Sequence, residues 1–277
     1  LIASGLILHW LLQHKLRAEL GVHFAGLGLG IALAALAVEL MLWLDFDWRQ
    51  QWYLFTLLGV ALAVPAWRWL PPPVLTSTIQ QQTAMQPEPG RRFIRLMLFS
   101  YFGAGYGYVV TATFIVTIVE RLPGLTGSGN LAFVLLGLAA APAVLVWDLL
   151  ARSLGFLNAI ILALLLQTLA IALPLTVPGL WPVLFSAALF GATFIGVVSL
   201  VLTMAGRLYP TKPARLMGKL TLAYGLAQVI APAITGVLAK ASGSYQPGLL
   251  LAAGFVALSA LLLYWLKRTD QTLAQLQ

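Results

Sequence analysis

The chain has 277 residues, of which 61% are hydrophobic and only 9% are charged, and its mean hydropathy is +0.93. A soluble domain carries about 25% charged residues, so this composition excludes a soluble fold and indicates an integral membrane protein. Because the chain has no cysteine, disulfides and thiolate metal sites are excluded as well.

Eight stretches of the chain are apolar over the roughly 20 residues that a membrane-spanning helix needs. They lie at 21–44, 52–70, 93–119, 130–150, 156–176, 182–206, 218–239 and 249–266. Before them, 1–12 is apolar but short, and we interpret it as the second half of a ninth span whose beginning is missing. The predicted fold is an all-α integral membrane protein with eight full transmembrane helices and one partial helix.

The basic residues predict how these spans are oriented. Of the 16 Lys and Arg residues, only Arg49, Arg121 and Lys240 fall on one side of the predicted membrane. Because cytoplasmic loops carry an excess of Lys and Arg, the richer side, which includes the C-terminus, is predicted to be cytoplasmic. The net charge of +8 therefore reflects membrane topology, and we expect no nucleic-acid partner because the basic residues do not form one face.

Residues 71–92 form the longest connection between spans, and they are rich in Pro, Gln, Ser and Thr. This composition is typical of a linker, here a cytoplasmic one, and it divides the chain into 1–70 and 93–277. Transporters with internal repeats have two matching halves, so we expect the chain to lack about three and a half helices of a twelve-helix protein and not to complete a transport cycle alone. The six C-terminal spans are expected to form a compact bundle, with 1–70 packed against it.

The span at 93–119 contains the segment YFGAGYGYVVTATF, which mixes glycines with tyrosines. A tyrosine deep in lipid needs a partner for its hydroxyl, so polar side chains here predict the wall of a substrate cavity. The substrate-binding residues predicted in this span are Tyr101, Tyr106, Tyr108 and Thr111. Gly103 and Gly107 are spaced by four and predict a close-packed or flexing face with a gating or hinge role. In the alternative interpretation, Tyr101 belongs to an interfacial aromatic belt and the glycines only pack.

Two later spans carry further polar residues at membrane depth. The substrate-binding residues predicted there are Thr193, Ser199, Tyr224 and Gln228. Pro232 frees a backbone carbonyl and is a predicted hinge. The alternatives are that the hydroxyls bond to their own helix and that Gln228 only joins two helices. If the protein is a transporter, these residues should converge on one cavity.

Glu39 is the best candidate for a proton-coupling residue because it is an acid within an apolar span. A charge at the bilayer centre costs about 2.5–3.5 kcal/mol, so such a residue has a functional explanation by default. The alternative is a glutamate near the outer headgroups. No His-Glu-x-x-His pair or other catalytic signature occurs, so we predict no enzyme, no catalytic residue, no metal and no cofactor.

Three segments together resemble a known family. HWLLQHKLRAELGVHFAGLGLGIALAAL, YFGAGYGYVVTATFIVTIV and RLYPTKPARLMGKLTLAYGLAQVIAPAITGVLA resemble the bacterial YbfB/YjiJ branch of the major facilitator superfamily. The resemblance extends over the whole chain and implies helices four (partial) to twelve of that fold. It also implies two six-helix bundles around a cavity, lined mainly by helices one, four, seven and ten, which work by rocker-switch alternating access.

The superfamily's signature loop, Gly-x-x-x-Asp-x-x-Gly followed by basic residues, is degenerate in this chain. Between the predicted helices eight and nine stands DLLARSLG. In our alignment, Asp148 takes the place of the first glycine and Arg152 that of the aspartate, and only Gly155 matches. Asp148 and Arg152 are therefore weak gating candidates, and their i,i+4 spacing allows them to pair.

The resulting prediction is a secondary active transporter of the major facilitator type in the bacterial inner membrane. Its substrate is expected to be small and neutral, aromatic or amphiphilic, because the predicted cavity residues carry no charge. We expect proton coupling and a monomer. The alternative is a non-transporting polytopic membrane scaffold or receptor.

Overall fold

The computed structural model describes residues 2–69, 90–120, 127, 129–177, 179–208 and 213–269. Within them every regular element is an α-helix, which confirms the predicted all-α class. The helices are α1 Ile2–Gln13, α2 Gly21–Trp43, α3 Trp48–Trp69, α4 Arg91–Glu120, α5 Gly129–Leu154, α6 Phe156–Thr176, α7 Leu180–Leu208, α8 Pro213–Ser242 and α9 Gln246–Thr269. The predicted linker at 71–92 lies outside the described residues except for its last three.

Seven of the described helices are long and apolar enough to cross a membrane, namely α2 and α4 to α9. Helix α1 has 12 residues, about 18 Å, which is shorter than the roughly 30 Å hydrocarbon core. The predicted span at 52–70 falls in α3, which is helical but is not among the seven. The expected count of eight full spans is therefore not confirmed.

The C-terminal helices pack in two matching sets. Helix α4 contacts α8 and α9 extensively, α7 contacts α5 and α6 in the same way, and α6 also packs on α9. Helix α2 packs on this bundle through α5, and α1 makes smaller contacts with α7 and α8. Helix α3 makes no extensive contact with any described helix and has no buried residue, so the expectation that all of 1–70 packs against the bundle is wrong for α3.

Small residues bring α2 and α5 together in a contact that we call the α2–α5 seam, formed by Gly28 and Ala32 with Gly137 and Ala141. A Cβ atom on Gly28 would lie 2.7 Å from the Ala141 Cα, and one on Gly137 would lie 2.8 Å from the Ala32 Cα. In lipid, helices associate by close packing of small residues because burial of apolar surface gives no driving force between them. The two glycines are therefore the reason that these backbones can approach so closely.

Candidate functional site

Five aromatic side chains from α4, α7 and α8 meet within the bundle and form what we call the aromatic cluster. Its members are Tyr101 and Tyr108 of α4, Phe190 and Phe194 of α7, and Tyr224 of α8. The Tyr101 and Tyr224 ring centroids are 4.7 Å apart. Tyr108 lies 5.0 Å from Phe194 and 5.8 Å from Tyr224. The structure thus brings together three of the four tyrosines that the sequence predicts for the substrate site.

Helical spacing explains how the aromatic cluster forms. Tyr101 and Tyr108 are seven residues apart and Phe190 and Phe194 are four apart, so each pair shares a helix face. Tyr101, Phe190 and Phe194 are buried, whereas Tyr108 and Tyr224 keep part of their surface exposed. The charged residues of α4, α7 and α8 lie within the first or last two turns of these helices. The middle of the three helices therefore presents rings and hydroxyls without a formal charge.

Tyr106 is not part of this cluster, which corrects the predicted site. Its ring stacks on Phe255 of α9 with the centroids 4.4 Å apart, because a step of two residues turns the helix by about 200° and places Tyr106 on the face opposite Tyr108. Thr235 of α8 is a candidate partner for the Tyr106 hydroxyl. Both hydroxyls are buried, and neither makes a hydrogen bond of ordinary geometry among the described residues.

The other polar residues that the sequence predicts for the substrate site have different surroundings. The Thr193 hydroxyl donates to the carbonyls of Leu189 and Phe190 in its own helix, at 2.8 and 3.1 Å, as the alternative interpretation expected. Ser199 and Thr111 are buried, and their hydroxyls have no hydrogen-bond partner among the described residues. Gln228 is half-buried and lies one turn beyond the cluster member of α8. The expected convergence of all these groups on one cavity is not seen.

The glycines of α4 are packing positions. A Cβ on Gly103 would lie 2.7 Å from the Phe255 carbonyl oxygen of α9, and one on Gly107 would collide with Val256 of the same helix. Pro232 lies inside α8, which continues through it from Pro213 to Ser242. The close-packed interpretation of the glycines is thus observed, and the hinge role of all three residues stays a prediction.

A charged cluster joins the α1–α2 connection to α5 and α7 at the predicted cytoplasmic end. Arg152 donates two hydrogen bonds to the Glu19 carboxylate, at 2.9 and 2.6 Å, in the two-pronged geometry that strengthens such pairs. Arg207 lies 3.9 Å from the same carboxylate and donates to the Ala18 carbonyl at 3.0 Å. The pairing of Arg152 with Asp148 that their spacing allows is not seen, because the Arg152 guanidinium binds the Glu19 carboxylate instead.

Asp148 is buried and accepts a hydrogen bond from the Gly21 backbone N–H at 3.0 Å. Gly21 begins α2, so the carboxylate lies at the positive end of that helix dipole. The hydrogen bond does not test the alignment of the signature loop, so the gating role of Asp148 and Arg152 stays a prediction.

Glu39 lies at the opposite end of the α2–α5 seam and is exposed. Its carboxylate accepts a hydrogen bond of 2.9 Å from the Asn130 amide of α5, which also donates to the Ala35 carbonyl at 2.8 Å. Glu120 lies against the residue before Asn130, since a Cβ on Gly129 would lie 2.9 Å from the Glu120 Cγ. Glu39 therefore has a specific partner across the seam, although it is not buried in the bundle.

Sequence reasoning missed several residues that the structure places at contacts. Trp147 of α5 is buried and donates its indole N–H to the Ala192 carbonyl of α7 at 2.6 Å, and Gly196 leaves room for its ring. Gln167 of α6 is buried, and its amide oxygen has no partner among the described residues. The sequence could have identified Gln167, because it is a polar residue inside an apolar span. Nothing in the local sequence marks Asn130 or Glu19 as residues that make long-range contacts.

These features define a multi-pass α-helical membrane protein with an uncharged aromatic site among its helices. The family model described as "Uncharacterised MFS-type transporter YbfB" matches residues 1–264. The chain therefore belongs to this family of major facilitator transporters, and the resemblance seen in the sequence is confirmed. A comparison with curated proteins found no significant match.

Proposed function

We propose that the protein is a secondary active transporter that moves a small neutral, aromatic or amphiphilic solute across the bacterial inner membrane by alternating access. The observation that supports this substrate class is the aromatic cluster. Aromatic pairs at centroid separations of 4.5–7 Å contribute about 0.5–1.5 kcal/mol beyond the burial of their area. A planar or amphiphilic solute can take the place of one ring in such a pair, so little of the stacking free energy is lost when it binds. The tyrosine hydroxyls can form hydrogen bonds with it.

The charge distribution argues against an anionic solute. The charged residues of α4, α7 and α8 lie within the first or last two turns of these helices, so a carboxylate or phosphate at the aromatic cluster would have no counter-charge in the middle of the same helices. A buried charge without a partner is expensive in a membrane. A neutral solute avoids this cost.

The two ends of α2 support an alternating-access mechanism. At the predicted cytoplasmic end, the Gly21 N–H of α2 donates a hydrogen bond to Asp148 of α5. Glu19, just before α2, accepts hydrogen bonds from Arg152 of α5. At the other end the tie is the hydrogen bond between Glu39 and Asn130. A rocking motion about the small-residue seam would loosen one end while the other holds.

The proposal assigns proton coupling to Glu39. A hydrogen bond to a carboxylate is about twice as strong as a neutral one, so protonation of Glu39 would weaken its bond with Asn130 and favour opening of the seam at that end.

The remaining parts of the proposal rest on the charge pattern. The excess of Lys and Arg on one side of the spans supports a multi-pass inner-membrane protein with a cytoplasmic C-terminus. The proposal also treats the protein as a monomer. A non-transporting scaffold or receptor is the second candidate, because the Thr193 hydroxyl bonds to its own helix and Tyr106 lies apart from the aromatic cluster.

Uptake into proteoliposomes decides between the two candidates. The full-length protein, with any residues that precede Leu1 in the natural chain, is purified and reconstituted with an imposed proton gradient, and neutral aromatic solutes are compared with organic anions of similar size. Tyr108→Leu is expected to reduce saturable uptake at least tenfold, whereas Tyr53→Leu, at an exposed position of α3, should leave it unchanged. Saturable uptake of organic anions alone would contradict the substrate class, and the lack of saturable uptake across a broad solute panel would favour the scaffold.

A further inference from the structure

A groove of about 400 Å³ opens between α4, α8 and α9, and no ring of the aromatic cluster lines it. Phe99 is 67% exposed, Leu226 50% and Leu258 49%, so the groove faces the lipid. Its apolar walls consist of Leu98, Phe99, Phe102, Ala223, Leu226, Phe255, Leu258 and Leu262. Such a surface is suited to a hydrocarbon chain.

Two polar side chains complete the lining, and only one of them is available to a ligand. The Ser259 hydroxyl donates to the Phe255 carbonyl of its own helix at 2.8 Å. Arg95 lies at the end of the groove nearest the predicted cytoplasmic surface, is exposed, and makes no hydrogen bond or ion pair with any described residue. The groove therefore combines an apolar channel with one unpaired guanidinium at its mouth.

No acidic side chain within the described lengths of α4, α8 and α9 neutralises this guanidinium. Their one acid is Glu120 at the far end of α4, about 38 Å along the helix from Arg95 at 1.5 Å per residue. The surrounding charges are positive instead: Arg91 precedes Arg95 by one turn, Lys219 precedes the groove residue Ala223 by one turn, and Arg92 lies 4.2 Å from the Trp265 ring. This end of the groove is complementary to an anion.

The volume of the groove limits which kind of molecule can bind in it. A transmembrane helix of about 10 Å diameter would fill roughly 1,300 Å³ over the length of three turns, about three times the 400 Å³ that the groove offers. A single acyl chain is narrow enough to enter. The predicted cytoplasmic end also faces the leaflet surface that anionic lipids make negative.

We propose that this groove binds an acidic glycerophospholipid, with one acyl chain between α4, α8 and α9 and the phosphate held by Arg95. The lipid would bridge the three helices at the end where α4 begins. This site is independent of the proposed transport activity, since it shares no residue with the aromatic cluster or with the α2–α5 seam.

Native mass spectrometry of the delipidated protein with added phosphatidylglycerol or phosphatidylcholine tests the site. One interfacial Arg contributes about 1 kcal/mol toward an anionic lipid, which is a preference of roughly fivefold for phosphatidylglycerol. Arg95→Gln should abolish this preference, and Arg91→Gln, which changes a charge outside the groove, should preserve it. Ala223→Phe fills the groove and should reduce retention of both lipids, whereas Leu222→Phe on the neighbouring exposed position should not.

Three results would overturn the proposal. Equal losses in the Arg91 and Arg95 variants would mean diffuse attraction to a positive surface, and unchanged retention in the Ala223 variant would mean that no chain enters the groove. Displacement of the lipid by soluble glycerol phosphate alone would assign the site to a free phosphate. Melting curves in detergent accompany each variant, so that loss of binding is scored only for folded protein, and Ala223→Leu serves as a milder groove-filling change if the phenylalanine variant unfolds.

Discussion

The clearest prediction about the α2–α5 seam is that Gly28→Ala disturbs its packing. The added methyl group would lie 2.7 Å from the Ala141 Cα and 2.8 Å from the Ala140 carbonyl carbon, whereas ordinary contact begins at 3.4 Å. Because these atoms belong to the backbone of α5, no side-chain rotation can make room. The Ala141 backbone nitrogen would be nearer still, so the two helices must separate by more than about 0.7 Å along this contact or bend away from each other.

The size of the effect follows from comparison with Gly30→Ala on the same helix. A Cβ at Gly30 would meet nothing within 4 Å. Both substitutions gain the same helix propensity, about 1 kcal/mol, so this contribution cancels between them. The remaining difference is the cost of overpacking, about 1–3 kcal/mol, and Gly28→Ala should be less stable than Gly30→Ala by that amount.

Unfolding of the purified protein by SDS in mixed micelles, followed by tryptophan fluorescence, measures this difference. Gly26→Ala is a second control, since its position is also open, and Gly137→Ala tests the facing side of the seam, where it should behave like Gly28→Ala. Equal stability of the Gly28 and Gly30 variants would refute the close contact between the two backbones.

Three further predictions concern single contacts. Trp147→Phe leaves a half-buried carbonyl of α7 without the indole donor and should lower the free energy of unfolding by about 0.5–1.5 kcal/mol, measured in the same micelles; an unchanged value would contradict that bond. Glu19→Gln and Arg152→Gln should each lower the melting temperature, and the double variant should lose less than the sum of the two, whereas additive losses would argue against direct pairing. Glu39→Gln, which keeps an acceptor for Asn130, should leave folding intact and remove the dependence of uptake on the proton gradient; unchanged dependence would exclude Glu39 as the coupling residue.

The aromatic cluster shows how far helical periodicity could predict the site. The positions of Tyr101 and Tyr108 on one face of α4 follow from their spacing alone. That Tyr106 stacks on Phe255 of α9 does not follow, because the neighbour that covers each face is decided by how the helices are arranged. The spacing of Thr193 likewise could not show that its hydroxyl bonds to its own helix.

The charged end of the bundle shows the same limit. Asp148 and Arg152 are four residues apart, and local geometry alone would allow them to pair. Their actual partners are Gly21 and Glu19, which are more than a hundred residues earlier in the chain. Because long-range pairs depend on which helices become neighbours, no local pattern contains them.

The sequence by itself determined that this protein is a bundle of membrane helices, since backbone groups in lipid must be satisfied within each helix and apolar length then marks most of the spans. It also determined the family, through segments spread along the whole chain. Only the tertiary structure decided that α3 stays without extensive helix contacts, that Glu39 meets Asn130, and that the rings of three helices meet at one site. The physical reason is that hydropathy acts on each helix separately, whereas the choice of neighbours depends on the shapes and polar groups of all the helices together.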